Sequence, residues 1–169
     1  MMNQPCLILL GGAPGVGKSA VASLLLKRLE NSVWLDGDDL WRMNPFTVTE
    51  SRKRMVLKNI SLVLSSFLGE TFEYVILSWV MHEPGIAAQI LSGLYTRRFR
   101  LFHFTLSCSE QTLLERIAGA GTERDSGLCL DRLRSARQNY PDLLDTEGLS
   151  AERVVEIVFR VVSSAFSGD

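Results

Sequence analysis

Gly12-Ala13-Pro14-Gly15-Val16-Gly17-Lys18-Ser19 decides how the rest of the chain is read. It fits the phosphate-binding pattern G-x-x-x-x-G-K-[ST] at every fixed position. Gly15 and Gly17 can take backbone angles that a side chain would forbid, so the loop can curl with several N–H groups aimed at one anion. Lys18 is placed to reach the β- and γ-phosphates of a nucleotide, and the Ser19 hydroxyl to ligate Mg²⁺. Ala20 continues the stretch into a helix whose N-terminus favours negative charge.

The flanks supply the context that the motif demands. Cys6–Leu10 is a short apolar run of strand length. After the loop, Ala20, Val21, Leu24, Leu25 and Leu29 recur at helical spacing. Strand, glycine loop and helix therefore occur in the required order, and a nucleotide-binding loop is expected.

Composition narrows the class. The chain has 169 residues, 46% hydrophobic and 22% charged, which suits one globular domain over residues 1–169. Its net charge of −1 offers no basic excess for nucleic acid. No run approaches the ~20 uninterrupted apolar residues of a membrane span. The first apolar run leads into the phosphate loop, so a signal peptide is not expected. Cys6, Cys108 and Cys129 lack metal-type spacing, and a reduced, cytoplasmic setting is the natural expectation.

Strand-like and helix-like segments alternate without repeats or a linker. Strands are expected at Cys6–Leu10, Ser32–Asp36, Tyr74–Ser78, Phe99–Ser107 and near Leu143–Asp145. Helices are expected at about 18–30, 50–68, 84–95, 109–118, 129–139 and 150–165. This alternation predicts an α/β fold with a parallel sheet and helices on both faces. Ser107-Cys-Ser-Glu110 has capping-box spacing, Ser150 suits an N-cap, and Leu149 can staple onto Val154. Pro84 sits where a helix can start. Gly119–Gly127 reads as a mobile, charged loop or a simple surface turn.

Other groups gather around the phosphate loop in this topology. Asp36-Gly37-Asp38-Asp39 follows the second strand, beyond whose carboxyl end ligands bind. Asp36 is the expected metal partner alongside Ser19. Asp38 is expected to face an acceptor hydroxyl as base or orienting group, whereas Asp39 is expected only to cap the next helix. Arg124 can deliver positive charge to a transferring phosphoryl group, and Arg116 can lay a flat guanidinium on adenine; both also suit a wet surface.

Arg132, Arg134 and Arg137 read as the solvated face of a helix, Arg132 least firmly. Arg52, Lys53, Arg54 and Lys58 read as another such face. Trp41, Met43, Phe46, Trp79 and Met81 fall where an acceptor would sit, as core or as an apolar pocket. His82 and Glu83 can touch that acceptor. His103, within Leu101–Leu106, reads as a satisfied structural histidine.

Together these residues resemble the small P-loop kinase superfamily that includes the shikimate, gluconate and adenylyl-sulfate kinases. Leu35–Leu40 looks like the carboxylate turn of gluconate and adenylyl-sulfate kinases. Leu113–Arg116 with Arg124 is similar to the approach to their lid. Leu144-Asp-Thr146 followed by Gly-Leu-Ser150 resembles their adenine-contacting loop, which adds Thr146 to the expected nucleotide contacts. His103–Leu106 with Ser109, Thr112–Leu114 and Arg116 looks closer still to tunicamycin-resistance proteins and related antibiotic phosphotransferases, as do Asp131-Arg132 and Leu149-Ser150. The third strand departs from the pattern: Ser78-Trp79 brings neither an acid nor a following arginine. The missing acid leaves metal binding to Ser19 and Asp36, and the missing arginine disfavours a phosphate- or sulfate-bearing acceptor.

The resemblance implies a three-layer P-loop NTPase with a five-stranded parallel sheet flanked by helices and a lid at about 118–129. It implies ATP and Mg²⁺ as cofactors and transfer to a small-molecule acceptor, with Lys18, Asp38 and Arg124 as the catalytic groups. Two other readings stand beside it: a nucleoside or nucleotide kinase, and a nucleotide-binding resistance or regulatory protein without turnover. Oligomeric state stays open.

Overall fold

Every residue of the first strand is buried, and that strand organises the molecule. In a computed structural model, which describes residues 4–121 and 124–164, β1 spans Cys6–Gly12 and lies at the centre of one sheet. The other strands are β2 (Ser32–Asp36), β3 (Tyr74–Ser78), β4 (Arg100–Ser107) and β5 (Leu143–Asp145). Their order is β2-β3-β1-β4-β5, and every pairing is parallel. Leu9 pairs with Leu77 on one side and His103 on the other.

The period-two alternation of β1 divides the core. Cys6, Ile8 and Leu10 join Val21, Leu25, Leu113, Leu133 and Val158 on one face. Leu7 and Leu9 join Val56, Ile60, Leu64 and Ile90 on the other. The first face is covered by α1 (Lys18–Arg28), α4 (Glu110–Gly119), α5 (Ser126–Asn139) and α6 (Ala151–Ser164), the second by α2 (Glu50–Gly69) and α3 (Pro84–Ser92). This is the expected three-layer α/β arrangement. Each large aliphatic side chain in such a core contributes, and Leu9→Ala would cost about 2–5 kcal/mol.

Helix starts follow local chemistry. Thr49 Oγ1 accepts from Arg52 N at the head of α2, and Ser150 Oγ from Arg153 N at the head of α6. Pro84 opens α3 as expected. At α4 the cap is Ser109, not Ser107: its Oγ accepts from Thr112 N. The carboxylate of a capping box is Glu147, from the loop after β5, which accepts from Ser109 N at 2.7 Å.

Several elements differ from expectation: β1 runs on to Gly12, α3 stops at Ser92, and the start of α5 and the chain after β2 depart further. Asp125 Oδ1 accepts from Leu128 N, so α5 starts at Ser126 and takes Gly127 and Leu128 into its first turn. The expected loop at 118–129 contracts to residues 120–125, of which Thr122 and Glu123 lie outside the described residues. A 3₁₀ turn, Gly37–Trp41, also follows β2, because Asp36 Oδ1 accepts from Asp38 N and closes the chain on itself. Among the described residues, no helix is long and apolar enough to cross a membrane.

Candidate functional site

The phosphate loop leaves β1 at Gly12 and enters α1 at Lys18. Gly15 and Gly17 have φ of 85° and 109°, the left-handed region that their place in the motif requires. A Cβ on Gly17 would meet nothing within 4 Å, so the loop opens onto free space there. Gly17 heads α1 with no side-chain cap, and the first turn carries no acid. Its N–H groups and the helix dipole therefore face a cavity of about 410 Å³. Pro14, Gly15, Gly17, Lys18, Ser19, Ala20, Asp36, Asp38, Arg116 and Arg124 line that cavity.

Lys18 is buried, and its Nζ donates to Ala13 O at 2.8 Å, across the mouth of its own loop. Burial pulls its pKa down to about 8, and the carboxylates of Asp38 and Asp36 oppose that shift. Ser19 Oγ donates to Asp36 Oδ2 at 2.8 Å. This pair of hard oxygens fits Mg²⁺, which takes few protein ligands and completes its shell with water and phosphate. No cluster of three or more His, Cys, Asp or Glu side chains suited to a metal occurs among the described residues.

Asp38 stands at the back of this cavity. Burial and the neighbouring Asp36 push its carboxyl above the ordinary range, against Lys18, a hydrogen bond from Trp79 and Arg124. Trp79 Nε1 donates to Asp38 Oδ1 at 3.1 Å. Asp39 has no part in this and no part in capping: it pairs with Arg42 at 2.7 Å on the surface, while Asp36 caps the turn.

Arg116 is not a surface residue. Its guanidinium donates to Val16 O at 3.0 Å, to Thr146 Oγ1 at 2.9 Å and to Thr146 O at 2.9 Å. Thr146 is itself buried, and its hydroxyl donates to Ser107 O. The three bonds fix the guanidinium edge, and the side chain still lines the nucleotide cavity. Arg124 lines the same cavity within electrostatic reach of Lys18 and Asp38.

A second cavity, of about 790 Å³, adjoins the first and shares Pro14, Asp38 and Leu128 with it. Trp41, Phe46, Val48, Leu57, Trp79 and Ile86 give it an apolar wall. Of the five residues expected here, Trp41, Phe46 and Trp79 line it, whereas Met81 is fully buried core. His82 and Glu83 line it as expected.

The sequence missed several of its members. Lys53 and Arg54, read as a wet helix face, line this cavity, as does Arg132. Arg132 contacts His82 Nε2, Arg134 pairs with Glu110 at 2.8 Å, and Arg137 Nη2 donates to Cys108 O at 2.6 Å. All three arginines of α5 are thus tied to other elements. His82 is held neutral by burial and Arg132, which together outweigh Glu83 at 3.5 Å. His103 is structural but not satisfied: its Nε2 is buried without a partner, and its ring stands edge-on to Tyr140.

A family model described as an AAA domain matches residues 8–142, from β1 to the threshold of β5. The chain belongs to that family. No curated protein matches it. Among solved structures it is similar to the tunicamycin resistance protein of Deinococcus radiodurans, with a TM-score of 0.70 and 23% identity over 94% of this chain and 95% of that one. A gluconokinase from Sinorhizobium meliloti 1021 has a TM-score of 0.70 and 17% identity over 99% of both chains. The thymidylate kinase of Candida albicans has a TM-score of 0.67 and 14% identity over 98% of this chain and 94% of that one. This AAA-domain chain therefore has the fold of the small P-loop kinases, as its sequence led one to expect.

Proposed function

We propose that the protein transfers the γ-phosphoryl group of ATP to a hydroxyl of a small molecule. One observation carries the reading: Asp38 is shared by a cavity at the phosphate loop and a larger, apolar-walled one. An acceptor hydroxyl held in the second cavity meets the carboxylate before it meets the phosphate. Bound Mg²⁺–ATP supplies the phosphoryl group, with Ser19 and Asp36 as the side chains that hold the ion. The loop amides and Lys18 bind and orient the phosphates, Lys18 leaving Ala13 O to do so. Asp38 orients the acceptor or takes its proton, and Arg124 offsets charge on the transferring group. Arg116 flanks the base, and Thr146, buried and outside the cavity lining, holds its guanidinium in place. The likenesses to a gluconokinase and a thymidylate kinase support this class of reaction by fold.

A nucleotide kinase is the second reading, favoured by Arg54 and Arg132 on the acceptor cavity. They supply the positive charge that β3 lacks. A screen of hydroxyl-bearing metabolites, nucleosides, nucleoside monophosphates and antibiotics for acceptor-dependent ADP release tests both. Release with an uncharged hydroxyl compound, lost in Lys18→Ala, is the expected result. Release with monophosphates alone moves the assignment to the second reading. Tight nucleotide binding with no acceptor-dependent release from any class overturns both.

A further inference from the structure

Trp79 lies outside the sequence motifs, yet three contacts fix it between the two cavities. Its backbone N–H donates to Leu10 O at 3.1 Å, two residues before β1 ends at Gly12. Its ring lies against the 3₁₀ turn so closely that a Cβ on Gly37 would sit 2.5 Å from its Cγ. Its indole N–H reaches Asp38 Oδ1 at 3.1 Å. The same ring forms part of the wall of the larger cavity. An indole N–H is a donor only, so it can hold an ionised carboxylate and cannot compete with it for a proton. The bond occupies Oδ1 and leaves Oδ2 for another partner.

A chain of contacts results. Ser19 Oγ donates to Asp36 Oδ2, Asp38 N donates to Asp36 Oδ1, and Trp79 Nε1 donates to Asp38 Oδ1. Asp36 and Asp38 are thereby held by different donors, Asp36 lining the phosphate-loop cavity alone and Asp38 lining both. Gly37 between them is the residue that lets the indole approach.

We propose that Trp79 is a positioning residue: its indole N–H aims the Asp38 carboxylate at the acceptor while its ring walls the acceptor cavity. The inference rests on the phosphotransferase reading for its kinetic consequence, but the contact itself does not. Trp79→Phe keeps an aromatic wall and removes the donor. With the acceptor found in the screen, kcat should fall at least ~10-fold while the acceptor KM changes less than ~3-fold and Mg²⁺–ATP affinity is unchanged. In an Asp38→Ala background the same change should cost less than ~2-fold, because the pair acts as a unit.

A spectroscopic arm works without any acceptor. In protein labelled with ¹⁵N-tryptophan, the Trp79 indole signal is the one absent from Trp79→Phe. It should shift in Asp38→Ala and in Gly37→Ala, while the Trp34 signal, whose indole donates to Ser78 Oγ, stays in place. A Trp79 signal unmoved in Asp38→Ala overturns the contact. A shifted signal with a kinetically silent Trp79→Phe overturns the positioning role. If no acceptor is ever turned over, the phosphotransferase reading falls and this role with it, while the indole signal still decides the contact.

Discussion

Arg116 and Thr146 are joined twice, through Nη1 to the threonine hydroxyl and through Nη2 to its carbonyl, at 2.9 Å each. The same guanidinium reaches Val16 O within the phosphate loop. One residue of α4 thus connects the loop expected beside the base to the loop expected around the phosphates. Arg116→Ala should raise the KM for ATP by ~10-fold and leave kcat within a few-fold, since the contact is present before and during transfer. Losing the three bonds should also cost about 1–3 kcal/mol of stability, although Thr146 keeps its bonds to Leu149 N and Ser107 O. Steady-state kinetics and urea unfolding check both. A near-normal KM with normal stability would return Arg116 to the role of a surface arginine.

Asp38→Asn should lower kcat by ~10²-fold or more, the usual scale for a positioned base. Mg²⁺–ATP affinity should change little, because Asp36 and Ser19 are the residues on the metal side. Calorimetric titration with a non-hydrolysable analogue separates the two effects. Collapse of nucleotide binding would make Asp38 a metal or structural residue instead.

Arg124→Ala should lower kcat by more than ~10-fold with little change in ATP affinity. Its contact with the phosphoryl group would form mainly in the transition state. The contrast with Arg116→Ala is the measurement: one variant moves kcat, the other KM. Equal effects on both parameters from both variants would remove the distinction between them.

Stability should fall on acidification below about pH 6.5, before most carboxylates titrate. Burial, aided at His82 by Arg132, holds His82 and His103 below the ordinary histidine range. Below their unfolded value of ~6.5 the unfolded chain takes up protons that the folded chain refuses, so ΔG of unfolding drops as pH falls toward the folded values. The limiting slope is about 1.4 kcal/mol per pH unit for each histidine. Urea unfolding at pH 7.5 and 5.5 measures it. His103→Leu should roughly halve the loss, and an unchanged loss would show that His103 does not contribute.

The phosphate loop, the strand assignments and Asp38 were legible because each depends on residues close in sequence: a fixed motif, a period of two, a carboxylate just beyond a strand. The larger cavity was less so. Lys53 and Arg54 follow the polar pattern of a wet helix, and nothing local reveals that a cavity faces them. Arg132 was misread for the same reason, since His82 lies 50 residues away in the chain, whereas Arg134 and Arg137 are exposed as read and only their partners Glu110 and Cys108 were hidden. Glu147 was invisible as a cap because it completes from another loop a box that normally lies within one helix turn. The start of α5 was misplaced because Asp125 outweighed the glycine beside it, Gly127, which reads as loop.

Glu147 and Thr146 are neighbours, and between them they hold both ends of α4. Glu147 grips its first residues through Ser109 and Thr112, and Thr146 grips Arg116 near its last turn. A helix pinned at both ends to one short loop behaves as a rigid lever. Hydrogen bonds alone lead from residues 146–147 through Arg116 to Val16. A base bound beside residues 146–147 would therefore be joined by one guanidinium to the loop proposed to seat its phosphates, some 130 residues earlier in the chain.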